Sequence, residues 1–151
     1  MITRNDAAGK YLRSRGLHEP FSAALRFVPS LRHAPTNQNL PCMIARFADA
    51  EGAGKQIHRT YLTESGSKAD VKPCRMFMPG QLPKGGAIRL GEAHETIGIA
   101  EGIETALSAR WLHRLTVWAT TTAGLLEAWQ PPKNAKRILV FGETDDSHTG
   151  Q

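Results

Sequence analysis

The chain has 151 residues, a length that fits one domain with a genuine hydrophobic core, or one domain preceded by a smaller lobe. Its two cysteines have no CxxC partner and no histidine at zinc-finger spacing, so no zinc site is expected within this chain. No run approaches the roughly 18 apolar residues of a membrane span, and residues 1–10 lack the apolar core of a secretory signal. We therefore expect a cytoplasmic protein with reduced thiols and no membrane partner.

The net charge of +5 conceals an uneven distribution. Residues 1–91 carry 14 Lys and Arg against 6 Asp and Glu, a balance of +8, whereas residues 92–151 carry 5 against 8, a balance of −3. A basic first part suits a protein that binds phosphates, and an acidic second part suits one that collects metal ions. Two ordinary solvated surfaces would give the same balance, so charge alone does not decide.

Residues 1–91 predict a small β-rich α+β lobe. A helix is expected over residues 6–15, with Asn5 or Asp6 as its cap and Gly16 at its end. The stretch 28–41 is rich in Pro, Asn and His without periodicity, and is expected to be a loop. Strands are expected at three places, the first two forming a hairpin: 43–48, 57–62 and 87–90.

Residues 92–151 show a different pattern, in which nearly continuous apolar runs at 96–100, 117–119 and 138–141 suit strands covered on both faces. The first two runs flank an amphipathic helix, and a shorter helix at 123–129 follows. The apolar face of the first helix is expected to consist of Ile103, Ala106, Leu107, Arg110 and Trp111. The order β-α-β-α-β predicts an α/β fold with a Rossmann-like parallel sheet and right-handed crossovers.

Acidic residues follow two of these predicted strands. Glu101 comes directly after the first strand, and Glu143 and Asp145 come just after the last. Ligands of open parallel sheets bind beyond the carboxyl ends of the strands, and residues at i and i+2 of extended backbone point the same way. We therefore expect Glu101, Glu143 and Asp145 to meet and to hold Mg²⁺ or Mn²⁺, which could neutralise phosphate oxygens.

Two neighbours of Glu101 have their own explanations. Gly102 allows the backbone to come close to a bound phosphate at the strand-to-helix corner. Glu104 falls in the first helical turn, where the helix dipole favours a negative charge, and it is expected to be structural rather than catalytic. For any one of the acids taken alone, a solvated residue or a helix cap is the more common state.

Residues 101–107, with the sequence EGIETAL after an apolar strand and an acidic pair some forty residues later, resemble the Toprim domain of primases and topoisomerases. The likeness extends upstream to the primase part of phage and plasmid primase-helicases, and nearly the whole chain is covered. The segments that carry this upstream likeness are 11–17, 58–62, 66–69 and 85–90. The resemblance implies a primase-type lobe over residues 1–91 and a Toprim domain over residues 92–151.

In that family the matching acids bind Mg²⁺ or act in nucleotidyl or phosphodiester transfer, which implies these roles for Glu101, Glu143 and Asp145. Glu143 stands where the family has Asp, and its side chain is longer by one methylene; Asp146 is a further metal ligand that could compensate. The sequence ends at Gln151, so the Toprim domain is expected to be incomplete at its C-terminus. The zinc-binding module and the helicase that accompany family primases are not visible.

The resemblance implies DNA replication of a phage or plasmid, with single-stranded DNA template and nucleotides as partners and a replicative helicase as a further one. The residues expected to grip template or nucleotide phosphates are Arg59, Lys68, Arg75 and Arg89, although solvated cations at strand edges are equally common. Three functions stay open: a primase-type nucleotidyltransferase, a catalytically degenerate nucleic-acid-binding fragment, and a Toprim nuclease.

Overall fold

The computed structural model describes residues 1–143, which form three helices and one mixed sheet of eight strands. We call residues 1–91 the N-terminal region; its elements are α1 (Ala7–Ser14), β1 (Leu25–His33), β2 (Gln38–Ala48), β3 (Gly54–Tyr61), β4 (Arg75–Phe77) and β5 (Ala87–Ile88). We call residues 92–143 the C-terminal region; its elements are β6 (Thr96–Ala100), α2 (Ile103–His113), β7 (Val117–Ala119), α3 (Ala123–Ala128) and β8 (Arg137–Phe141).

The strand order is β4-β3-β2-β5-β7-β6-β8, and β1 also pairs with β2. Pairing is antiparallel within the N-terminal region, whereas β6 runs parallel to both β7 and β8. The two regions join where Ile88 of β5 pairs antiparallel with Ala119 of β7. The expected parallel arrangement is therefore present in the last three strands only, because antiparallel strands of the N-terminal region extend the same sheet.

The expected loop over residues 28–41 was wrong, because most of this stretch belongs to the hairpin of β1 and β2. Pro29 and Pro41 suggested a loop, since a proline cannot donate to a sheet ladder. Pro29 is tolerated because the pairing of β1 with β2 is irregular between Val28 and Leu31. The turn between the strands contains Asn37 at a φ of 53°, a conformation that asparagine adopts more readily than most residues.

The helices begin where the sequence supplies caps. The side chain of Asp6 accepts a hydrogen bond from the backbone N–H of Gly9 at 2.8 Å, as expected for α1. Thr122 caps α3 in the same way. Gly102 precedes α2 without a side-chain cap, and the helix ends at Arg114 in the left-handed conformation. No helix within residues 1–143 is long and apolar enough to cross a membrane.

One hydrophobic core contains side chains from both regions, including Phe47 and Ile88 from the first and Ile103 and Val117 from the second. A smaller cluster surrounds the buried Trp118, against which Trp129 packs. Of the expected apolar face of α2, Ile103, Ala106 and Leu107 are buried. The prediction was wrong for Arg110 and Trp111, which are exposed on the second half of α2, Trp111 by 70%.

Candidate functional site

The carboxyl ends of β6, β7 and β8 lie at one edge of the sheet, because the three strands are parallel neighbours. The loop after β7 lies against the loop after β6: the N–H of Thr121 donates to the carbonyl of Glu101 at 2.7 Å, and that of Thr120 donates to the carbonyl of Ala100 at 3.0 Å. We call Glu101, Gly102, Thr121 and Glu143 the strand-end rim. This is the edge where ligands of parallel sheets bind.

Glu143 follows β8 and reaches the first turn of α2. Its Oε1 accepts a hydrogen bond from the hydroxyl of Thr105 at 2.6 Å. The same oxygen lies beside Gly102, where an added Cβ would stand only 2.8 Å from it. Because Gly102 has no side chain, the Glu143 carboxylate can lie directly against its backbone.

Glu101 is exposed at the end of β6, and Glu143 is exposed as well. The structure thus places two of the expected metal ligands at the same rim, Glu101 after β6 and Glu143 after β8, with the Glu143 carboxylate beside Gly102. The other two, Asp145 and Asp146, lie outside the described residues. Within residues 1–143 there is no group of three or more His, Cys, Asp or Glu side chains arranged to hold a metal ion.

The oxygens that are present suit a hard cation. Carboxylates are the ligands that Mg²⁺ prefers, and it usually binds through one or two of them while keeping several waters. Glu101 and Glu143 supply such oxygens, and Gly102 lets the Glu143 carboxylate lie against the backbone, where a Cβ would come within 2.8 Å of it. The rim therefore fits Mg²⁺ or Mn²⁺ in the chemistry of its donors.

Glu104, which was expected only to stabilise the first turn of α2, also contacts two residues of the N-terminal region. Its carboxylate accepts a hydrogen bond from the hydroxyl of Tyr11 in α1 and lies 3.5 Å from Nη2 of Arg75 in β4. Burial by itself would raise the pKa of Glu104, but the Tyr11 hydrogen bond and the charge of Arg75 outweigh burial and lower it. Burial, and then the charge of Glu104, raise the pKa of Tyr11. The carboxylate stays charged, and the phenol stays a donor.

A narrow cleft separates β3 and β4 from the start of α2, and it is lined by His58, Arg75, Gly102, Glu104 and Thr121 among others. His58 is 6% exposed and packs edge-on against the ring of Phe77. Burial, and then the charge of Arg75, lower the pKa of His58 to about 4, so the imidazole is neutral at pH 7. Among the described residues, His58 Nδ1 and Thr121 Oγ1 have no hydrogen-bond partner.

The four cations expected to bind phosphates fall into two pairs. Arg59 is 7% exposed and donates to the Tyr61 hydroxyl and the Phe77 carbonyl. The guanidinium of Arg89 lies over the ring of Trp118 and donates to two carbonyls of the turn after β2. Both make hydrogen bonds within the fold, and neither is among the residues that line the cleft.

The other pair consists of Arg75 and Lys68, which are close enough for the charge of Arg75 to act on Lys68. Arg75 is exposed beside Glu104, with 39% of its side chain accessible. Lys68 is exposed too; burial of part of its side chain, and then the charge of Arg75, lower its pKa. Of the four expected cations, Arg75 is the one that lines the cleft next to Gly102.

Sequence reasoning did not assign Thr105 or Thr121 to the site. Thr105 lies three residues after Gly102 in a predicted helix. Residues three apart lie on the same face of a helix, so the sequence did contain a signal that Thr105 is near Gly102. Thr121 has a φ of 79°, which is an outlier for a β-branched residue. A sequence pattern cannot show such a backbone angle where the residue is not glycine.

Comparison with known proteins gives two domain matches. The model of a domain of unknown function, DUF7146, matches residues 2–90, and the model of the Toprim domain matches residues 96–151. No curated protein matches the chain, and no solved structure does.

Proposed function

Since the chain belongs to the DUF7146 family and carries a Toprim domain at residues 96–151, which indicates metal-dependent processing of nucleic acid, we propose that it catalyses Mg²⁺-dependent nucleotidyl transfer of the primase type. The observation that carries the proposal is the placement of Glu143 against Gly102 and Thr105, beside the exposed Glu101. Two carboxylates from different strands thus share the edge where parallel sheets bind ligands.

The two carboxylates of the rim and the neighbouring Thr105 have roles in this proposal. Glu101 and Glu143 would hold Mg²⁺, and Glu101 would accept the proton of the 3′-hydroxyl that attacks the α-phosphate of a nucleotide as pyrophosphate leaves. Thr105 orients the Glu143 carboxylate through its hydrogen bond. A bound Mg²⁺ supplies positive charge that neutralises phosphate oxygens during transfer. Asp145 and Asp146 complete the set in the proposal.

The partners in this proposal are single-stranded DNA and nucleotides, in the replication of a phage or plasmid. The N-terminal region supports it with its balance of +8, because positive charge attracts a phosphate backbone without regard to sequence. The C-terminal region, at −3, carries the acids that a cation requires.

A primer-synthesis assay tests the proposal. The protein is incubated with single-stranded DNA, nucleotides and Mg²⁺, and labelled product is resolved by length. Glu101→Gln keeps the size of the side chain but removes its charge, and we expect product to fall by at least about 100-fold. The matched control is Glu95→Gln, at an exposed acid paired with Lys136 and remote from the rim, and it should retain full yield. An unchanged yield in the Glu101 variant would reject the assigned role.

A second candidate, binding of nucleic acid without turnover, is favoured by the positive charge of the N-terminal region alone. In the same assay it predicts no product from the wild-type protein while DNA binding persists. DNA nicking without added nucleotides would instead identify a Toprim nuclease.

A further inference from the structure

Glu104 connects three elements that are far apart in the sequence. It belongs to the first turn of α2, its carboxylate accepts from Tyr11 of α1, and it pairs with Arg75 of β4. Only 18% of its side chain is exposed, whereas 39% of the Arg75 side chain is. The acid is thus largely enclosed, while the guanidinium that it holds keeps an open side.

The surroundings of this pair carry an excess of positive charge. Lys68 lies within range of the charges of Arg75, Arg15 and Glu104, so three cations share one carboxylate. Placing like charges together costs free energy unless an anion arrives to compensate them. The local charge therefore favours a negatively charged ligand even with Glu104 ionised.

Two residues that line the cleft beside Arg75 also have buried polar atoms without partners. His58, which is 6% exposed, and Thr121 line the cleft, and among the described residues His58 Nδ1 and Thr121 Oγ1 are buried without a hydrogen-bond partner. Buried polar atoms normally have partners, and exceptions call for an explanation such as a ligand. Both residues line the cleft that borders the strand-end rim at Gly102.

We propose that Arg75 contacts a backbone phosphate of single-stranded DNA at this cleft, and that Glu104 is the positioning residue that holds Arg75 there. This inference rests on the proposed function, because the cleft and the rim share Gly102. Glu104 does not touch the phosphate; it fixes the guanidinium from behind, and the Tyr11 hydroxyl fixes Glu104. The guanidinium can still donate to a phosphate from its exposed side, in the geometry that favours arginine at phosphate sites.

The proposal gives the DUF7146 part of the chain a specific task. Arg75, His58 and Tyr11 all belong to residues 2–90, whereas Glu104 and Gly102 belong to the Toprim part. The N-terminal region then supplies the cation that orients the substrate, and the C-terminal region supplies the acids.

The sign of one mutational effect tests the positioning role. Glu104→Gln raises the net charge by one beside a polyanion, so simple electrostatics predicts tighter DNA binding. Loss of the positioning contact predicts weaker binding, and we expect the dissociation constant to rise roughly 5- to 10-fold, somewhat less than the effect of losing a charged hydrogen bond outright. The measurement is fluorescence anisotropy of a labelled oligothymidylate strand, in EDTA, with the full chain.

Arg75→Met is the companion variant. Its removal of a charged hydrogen bond should weaken binding roughly 10- to 100-fold, and it should reduce the slope of log affinity against log salt by about 0.7, the value for one single-strand phosphate contact. The double variant should bind no more weakly than Arg75→Met alone, since Glu104 acts through Arg75. Glu104→Asp should recover part of the affinity, and Glu95→Gln serves as the matched control that leaves it unchanged.

Circular dichroism and thermal melting confirm that each variant is folded, and Tyr11→Phe offers a milder test if Glu104→Gln melts early. Equal or tighter DNA binding by Glu104→Gln, an unchanged salt slope in Arg75→Met, or a wild-type protein that does not bind the strand would overturn the proposal. The DNA-binding assay contains no Mg²⁺ and is therefore independent of the proposed catalysis. If Arg75→Met weakens DNA binding as expected but the wild-type protein has no metal-dependent activity, the proposed function is rejected and the role of Arg75 is not.

Discussion

The two regions share one sheet but bury different kinds of side chains. The N-terminal region places polar groups inside, since His33, Gln56, His58, Arg59 and Thr60 are all less than 10% exposed. Most of them are held by specific bonds; His33, for example, contacts the Thr36 hydroxyl and the Pro73 carbonyl. The C-terminal region buries apolar strands and carries its acids at the strand ends.

This difference indicates that the two regions contribute to stability and to the site in different ways. Apolar parallel strands form a rigid support that needs no polar partners inside, and so their ends can present carboxylates in fixed places. One of the buried polar groups of the N-terminal region, the His58 imidazole, has a pKa lowered by burial, so its contribution to stability depends on pH. Stability should therefore respond to packing in the C-terminal region and to pH in the N-terminal region.

The largest expected effect is at Trp118, the buried tryptophan of β7, whose Nε1 donates to the Gly91 carbonyl at 2.8 Å. Trp118→Ala should lower the free energy of unfolding by about 3–5 kcal/mol, because it opens a large cavity and removes the surface under Arg89. Trp111→Ala is the matched control, since that side chain is 70% exposed, and it should change stability by less than about 1 kcal/mol. Urea unfolding followed by circular dichroism measures both. Equal losses of unfolding free energy in the two variants would contradict the placement of Trp118 in the core.

A smaller effect is expected at His58 and concerns pH. The pKa of His58 is about 4 in the folded protein against an ordinary 6.5, so the unfolded chain takes up the proton first as the pH falls. Stability from this residue is complete above about pH 6.5 and is lost progressively toward pH 4, by roughly 3 kcal/mol in total.

The His58→Gln variant should lose this part of the pH dependence while the rest of the curve stays parallel. Comparing urea unfolding of the two proteins at about pH 7 and about pH 4.5 isolates the contribution, because other titrating groups are common to both. A wild-type stability that falls no more steeply than that of the variant would contradict a buried neutral imidazole.

Much of the C-terminal region could be predicted from sequence. β6 and β7 are continuous apolar runs that are buried, as predicted, and β6, α2 and β7 lie where the pattern placed them. The prediction that the run at 138–141 is covered on both faces was wrong: Ile138 and Val140 lie on the same face of β8, and they are 41% and 65% exposed. The N-terminal region was harder, because β1 and β2 contain Pro29, Pro41 and many polar residues. Their strand structure comes from pairing with each other, which local sequence does not report.

The candidate site divides in the same way. Glu101 and Glu143 could be identified from sequence, because the carboxyl ends of predicted parallel strands meet at one edge of the sheet. Arg75 could be named as a cation but not placed next to Glu104, because β4 is three residues long and reaches the cleft through pairing with β3. Contacts between regions depend on the whole sheet.

Calorimetric titration with Mg²⁺ tests most directly whether the rim carboxylates hold a cation together. The wild-type protein should give a saturable heat, and Glu101→Gln and Glu143→Gln should each abolish it, whereas Glu95→Gln should leave it intact. No saturable heat in the wild type, or an undiminished heat in both rim variants, would contradict the shared site.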